Sequence, residues 1–162
     1  GRELFYHKQY EYAILILKKF LEEPDGWIEN KLNSCLVLSC CYQAMGENAA
    51  AFDILFYSFT MDVPRAEICC EIGRLFMEKR EYVTAAYWYQ QALLAPRKKK
   101  NGGFYIADSH DFIPAIQMCV CLDKAGRHRE AFEFHKKARV LKPLHQAVIG
   151  NEKYFWDVWG ME

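Results

Sequence analysis

The stretch GRLFMEKREYVTAAYWYQQALLAP, Gly73 to Pro96, decides how this chain is read. As a single helix it would carry Gly73 at a loss, since an interior glycine costs about 1 kcal/mol relative to alanine. As two helices facing each other it gives every small residue a purpose, because small side chains let helices approach. Ile72, Leu75 and Phe76 share one helical face, while Tyr82, Ala85, Ala86, Tyr89, Ala92 and Leu93 recur at three- and four-residue steps. The two-helix reading gives each apolar residue a partner.

Working outward, the same kind of segment recurs. Tyr10 to Leu21 carries an apolar face and stops before Pro24 and Gly26. Helical runs follow from Trp27 to Ala44 and from Asn48 to Phe59, and Pro64 is placed in the first turn of a run reaching Phe76, where its missing N–H is harmless. After Tyr82 to Leu94, a polar interval from Arg97 to Ser109 precedes a run that contains Pro114 and ends at Leu122. A turn at Gly126 leads to the run from Arg129 to Leu141, giving eight or more short helices, no strand, and tight turns that make neighbours antiparallel.

Superposing the second helix of each pair aligns Ala13, Ala51, Ala85 and Ala131, with steps of 38, 34 and 46 residues. The middle step is the tetratricopeptide period, and the last exceeds it by about the length of the glycine-containing interval. Tyr42, Phe76 and Leu122 each lie nine residues before their alanine, and Leu17, Leu55 and Tyr89 lie four after theirs. The expected fold is all-α: tetratricopeptide-like helical hairpins stacked into a short right-handed solenoid, each hairpin burying an apolar side against the next. Approximate units are 1–24, 27–60, 64–96 and 110–143, followed by a C-terminal cap over 144–162, all in one repeat domain.

The segment CLDKAGRHREAFEFHKKARVLKP, Cys121 to Pro143, resembles a tetratricopeptide repeat, with Gly126, Ala131, Ala138 and Pro143 at late motif positions. Tyr42, Gly46 and Ala51 fall in the same frame, whereas Arg80 stands where the inter-helix glycine is common. PRAEICCEIG from Pro64, AAYWYQQAL from Ala85, DFIPAIQMCVCLDKAGR from Asp111 and PLHQAVIGNEKYF from Pro143 together resemble the helical repeat region that follows the catalytic domain of bacterial family-2-like glycosyltransferases. Ala115 and Leu122 depart from that pattern, at places where a histidine and a tyrosine are expected. The resemblance implies an accessory part of a cytoplasmic transferase, with this chain an excised piece of a longer protein, as its start at Gly1 without methionine also suggests. The alternative is a free-standing peptide-binding adaptor or regulator.

Composition narrows the function. Lys+Arg and Asp+Glu number 21 each in 162 residues, so no global charge points to nucleic acid or an anionic membrane. The single basic run, Arg97 to Lys100, reads as a solvated linker. Nothing approaches the roughly 20 apolar residues that cross a bilayer. The cysteines at 40 and 41, 69 and 70, and 119 and 121 lie in helical segments among apolar neighbours; they read as buried thiols of a reducing compartment, and adjacent or alternate cysteines on a helix cannot aim at one zinc ion.

No catalytic, cofactor or metal residues are expected. A sugar-nucleotide transferase needs a mixed sheet and an acidic pair for a divalent ion, and Gly102–Gly103 opens no phosphate-binding fingerprint. His110, eight or nine residues from Cys119, reads as a cap or surface residue, and His128 and His135 as residues of polar faces. Binding fits better. By carry-over from the tetratricopeptide pattern, the concave surface is supplied by Asn33, Leu36, Cys40 and Gln43, then Glu67, Cys70, Arg74, Met77 and Glu78, then Ile113, Ile116, Val120, Asp123 and Lys124. The competing reading is that several of these only pack against a neighbouring helix or the Phe104–Ile106 segment. Arg74 and Lys124 are the residues best suited to hold a carboxylate or a peptide carbonyl. In the tail NEKYFWDVWGME, Trp156 and Trp159 belong either to a cap or to an interface. The partner is a protein or peptide segment, which includes a catalytic domain of the same chain or a second copy; nucleic acid and membrane insertion are not expected.

Overall fold

The computed structural model describes residues 2–97, 103 and 105–161, with side chains from residue 7 onward. The described residues form eight α-helices and no strand: α1 (Arg2–Glu22), α2 (Ile28–Ala44), α3 (Asn48–Tyr57), α4 (Ala66–Glu78), α5 (Tyr82–Leu94), α6 (Phe112–Lys124), α7 (His128–Leu141) and α8 (Gln146–Trp159). Short 3-10 turns follow α3 (Ser58–Thr60) and precede α6 (Ala107–His110). Stacked helical hairpins therefore replace any layered sheet, as the alanine spacing predicts. Two boundaries differ from expectation. Helix α1 runs back to Arg2, through residues whose consecutive Leu4, Phe5 and Tyr6 set no helical period, and Pro64 precedes the extended N-cap residue Arg65 (ψ 146°) instead of entering the first turn of α4.

Packing divides the described chain into two compact units. The first holds α1 to α3 and takes in Gly103 and Tyr105; the second holds Arg65–Arg97 and the residues from Ile106 onward. In the first unit, Leu32, Cys35 and Leu38 of α2 are buried with Ala51 and Leu55 of α3. In the second, Cys69 of α4, Tyr89 of α5, Met118 and Leu122 of α6, Ala131 of α7 and Phe155 of α8 share a core. Ala51, Ala85 and Ala131 are each wholly buried, whereas Ala13 is partly exposed.

Gly73 and Tyr89 answer the question that the deciding stretch raises. A Cβ at Gly73 would lie 3.0 Å from the Tyr89 ring, so the ring fills the space a side chain would take. Tyr89 is itself only 1% exposed. The local loss of helix propensity at Gly73 is offset by close packing of a large aromatic against the α4 backbone.

The three hairpin turns share one geometry. Gly46, Arg80 and Gly126 have φ of 77°, 60° and 80°, all left-handed. In each, the next residue's N–H reaches back to the carbonyl of Tyr42, Phe76 or Leu122 at 2.8–2.9 Å, while the left-handed residue donates to Gln43, Met77 or Asp123. This is a Schellman closure, which satisfies carbonyls that the helix end leaves open. The residues nine before each alanine are therefore turn acceptors as well as groove fillers.

Candidate functional site

The proposed binding line lies on the first helix of each hairpin, where positions three, four and seven apart share a face. On α2 that line is open: Asn33 and Cys40 are exposed, and Gln43, half-buried, donates to the Ser39 hydroxyl at 3.0 Å. The exposure of Cys40 corrects its reading as a buried thiol. The other six cysteines are buried, none of the seven is in a disulfide, and burial pushes the Cys35 thiol to about 11 and the Cys69, Cys119 and Cys121 thiols to about 12. Thiols held that high are protonated at neutral pH and poor nucleophiles.

On α4 the line divides into two halves. Glu67 and Cys70 are buried at 5% and 8% exposure. Glu67 Oε1 accepts the backbone N–H of Ile106 at 2.7 Å and faces His110 Nε2 at 3.6 Å, and the Cys70 thiol donates to the Ser109 carbonyl at 3.4 Å. Residues 106–110 of the chain itself thus lie on this half of the face. His110 is 5% exposed, which corrects its reading as a cap or surface residue. Phe104 and Lys98 to Lys100 lie outside the described residues; Arg97, at the start of the basic run, pairs with Asp111 at 3.0 Å.

The other half of α4, with Arg74, Met77 and Glu78, remains accessible. Arg74 is already engaged within its own helix: Nε and Nη2 donate to the two Glu71 oxygens at 2.9 and 2.7 Å, and Nη1 pairs with Glu78. Those carboxylates hold its guanidinium still further above its already high range. Sequence reasoning missed this clamp, although Glu71 and Glu78 stand three before and four after Arg74, the spacing at which helical charges meet.

On α6, Asp123 is also committed. Its two oxygens meet His128 Nδ1 at 2.7 Å and the Tyr154 hydroxyl at 2.8 Å, while Trp159 Nε1 donates to that hydroxyl at 3.3 Å. Trp159 stacks on His128 with ring centroids 3.8 Å apart. These contacts, with buried Val148 and Phe155, dock α8 onto the α6–α7 hairpin. Lys124 remains exposed. Beside it, between α6 and α8, lies a cavity of about 190 Å³ walled by Val120, Asp123, Lys124, Asn151 and Tyr154.

A larger cavity, about 380 Å³, opens between α7 and α8 with Phe132, Ile149 and Trp156 in its wall and the Arg139–Glu152 ion pair at 2.7 Å among its lining. Trp156 is 54% exposed. His135, expected on a polar face, is wholly buried between the rings of Phe132 and Phe155, at 5.8 and 5.7 Å, which corrects that reading. Burial lowers its pKa, with Arg139 adding to the effect and Glu152 opposing it.

Among the described residues, no group of three or more His, Cys, Asp or Glu side chains is placed to hold a metal ion. No helix of the described residues is long and apolar enough to cross a membrane.

No protein-family model matches the chain, and no curated protein matches it in sequence. Solved structures do. The chain is similar to MamA, at 22% identity over 83% of this chain and 69% of that one, with a TM-score of 0.60. It is similar to MamA AMB-1 at 18% identity over 98% and 83% of the two chains, with a TM-score of 0.66, and to MamA MSR-1 at 18% identity over 98% and 87%, with a TM-score of 0.64. At such identities the likeness is one of fold, and that fold is the stacked helical hairpin. It also corrects the transferase assignment: the chain overlays on helical-repeat proteins of which it spans 69–87%, and nothing in the comparisons or the structure links it to a glycosyltransferase.

Proposed function

We propose that this chain is a non-catalytic, protein-binding helical-repeat adaptor, and that it holds an extended peptide segment of a partner in the groove between α6 and α8. The observation that carries this reading is the cavity beside Lys124, with apolar Val120 and the Asn151 amide in its wall and an ammonium at its rim; the Tyr154 hydroxyl there is already given to Asp123. Such a site suits a peptide, whose carbonyls need donors and whose side chains need an apolar seat. Arg74 loses its claim to be an anchor, because a guanidinium already forked onto Glu71 must give up those bonds before it can hold a partner's carboxylate.

Selection of a displayed peptide library on the full chain, followed by calorimetry of the selected peptide, tests the reading. Val120→Arg, which fills the groove, should weaken binding at least about tenfold, and Lys124→Glu by less, with the helical circular dichroism unchanged. A selected peptide whose affinity is indifferent to Val120→Arg but lost in Trp156→Ala would move the site to the larger α7–α8 cavity. That second reading is favoured by the cavity's volume and by the exposure of Trp156.

A further inference from the structure

The residues that lead into α6 lie on α4 as a docked peptide would. Ile106 is extended (φ −112°, ψ 107°) and gives its N–H to the buried Glu67 carboxylate at 2.7 Å, the kind of bond by which a side chain in a groove reads a ligand's backbone. The short turn Ala107–His110 then places the Ser109 carbonyl on the Cys70 thiol and His110 Nε2 against Glu67, with both of the latter side chains under 5% exposed. The fastenings at the edges come from outside α4: Lys142 pairs with Asp108, and Arg97 with Asp111. The covered positions, Glu67 and Cys70, belong to the same helical line as the accessible Arg74, Met77 and Glu78.

We infer that residues 106–110 are a tethered occupant of the α4 face, and that an external segment of the same form, one extended residue followed by a turn, engages this face only by displacing them. The inference rests on the reading of first-helix faces as peptide sites and adds its regulation. A tethered segment competes at an effective concentration in about the millimolar range, so an external segment making the same bonds loses apparent affinity by at least tenfold until the tether is unseated. Displacement is chemically balanced, since the Glu67 carboxylate exchanges one backbone N–H for another and the freed Ile106 amide is taken up by water. The external segment that fits offers the N–H of an extended residue to Glu67 and then turns, so that the carbonyl three residues on meets Cys70.

The test uses the full chain and a synthetic peptide, acetyl-Ile-Ala-Asp-Ser-His-Asp, copied from residues 106–111, labelled at its C-terminus and acetylated so that the Ile nitrogen is an amide. Ile106→Pro removes the donated N–H, and Asp108→Ala releases Lys142, while the α4 face stays intact. The double variant should bind the peptide at least about tenfold more tightly than the unaltered chain, and adding Glu67→Met, which keeps the side-chain length but removes the acceptor oxygen, should erase the gain. Equal affinity in the two chains, including no binding by either, overturns the inference, as does a gain that survives Glu67→Met. Val120→Arg should leave the gain unchanged, so failure of the α6–α8 groove and failure of the tether are read from different variants. Should the double variant lose helix, hydrogen exchange of the unaltered chain decides. The Ile106 amide should exchange by a local opening with little denaturant dependence; exchange only through global unfolding, as for the α4 core amides, would refute the tether.

Discussion

The hairpins α2–α3 and α4–α5 are built 34 residues apart on one plan, yet they solve its two hardest positions differently. Where the first hairpin has Ser39 and Leu55, the second has Gly73 and Tyr89, and all four lie within the structure's buried interior. Size lost on the first helix is regained on the second. The turns differ in the same spirit, with Gly46 in one and Arg80 in the other at left-handed φ. On the first-helix face the contrast is functional: Asn33 is exposed, while its 34-residue mate Glu67 is buried under residues 106–110. A repeat therefore fixes backbone and register, and leaves each pair of facing side chains free to divide a constant volume.

The largest expected effect breaks that division of volume. Tyr89→Ala should destabilise by about 3–5 kcal/mol, measured by urea unfolding, because it empties the space that Gly73 leaves for the ring. Copying the first hairpin is the sharper experiment. Gly73→Ser alone crowds the ring and Tyr89→Leu alone leaves a void, so the double variant should recover at least about 1 kcal/mol relative to the sum of the single ones. Strict additivity would show that the two positions are not complementary.

That pairing was legible in part. The sequence spacing aligns Gly73, Ala85 and Tyr89 across repeats, and the hairpins follow from it, because helical periods and breakers such as Pro24, Gly46, Gly126 and Pro143 are local signals. The early turns of α1 were missed because no apolar period runs through residues 2–9, and helix there extends an existing one. The candidate site was less legible. The clamp on Arg74 could be read from Glu71 and Glu78 on the same helix, but the seat of Ile106 on Glu67 joins residues 39 apart. So does the bond between Tyr154 and Asp123, 31 apart. Spacing within one helix is silent about such contacts, and the extra length before α6 marks an insertion without saying where it lies.

An intermediate effect is expected at His135, the counterpart of Leu55 and Tyr89 in the α6–α7 hairpin. It is wholly buried, and neither ring nitrogen has a hydrogen-bond partner. His135→Leu, which restores the residue type of the first hairpin, should stabilise by about 1–2 kcal/mol by removing an unsatisfied polar group. The pH dependence has a definite sign. Burial lowers the folded-state pKa below the ordinary 6.5, so on acidification the unfolded chain takes up this proton first. The stability His135 leaves intact above about 6.5 is lost as pH falls from there through the folded-state value. Thermal melts between pH 7.5 and 5 should show this decline flattened in His135→Leu; an unchanged profile would mean that another group titrates.

The smallest effect isolates the turn. Arg80 holds φ of 60° without the freedom of glycine, whereas Gly46 at 77° has open space where a Cβ would be placed. Neither substitution alters a core contact, so the energy concerned is the conformational cost of a side chain in the left-handed region. Arg80→Gly should therefore stabilise by about 1 kcal/mol, and Gly46→Ala should destabilise by a similar amount, with unchanged dependence on urea concentration in both. The Lys79–Glu81 ion pair beside Arg80 is largely exposed at 53% and 44%, too wet to alter the balance. If Arg80→Gly instead destabilises, the arginine side chain contributes more than its backbone strain costs, and the second hairpin turn would owe its conformation to that side chain as well as to the Schellman bonds it shares with the other two.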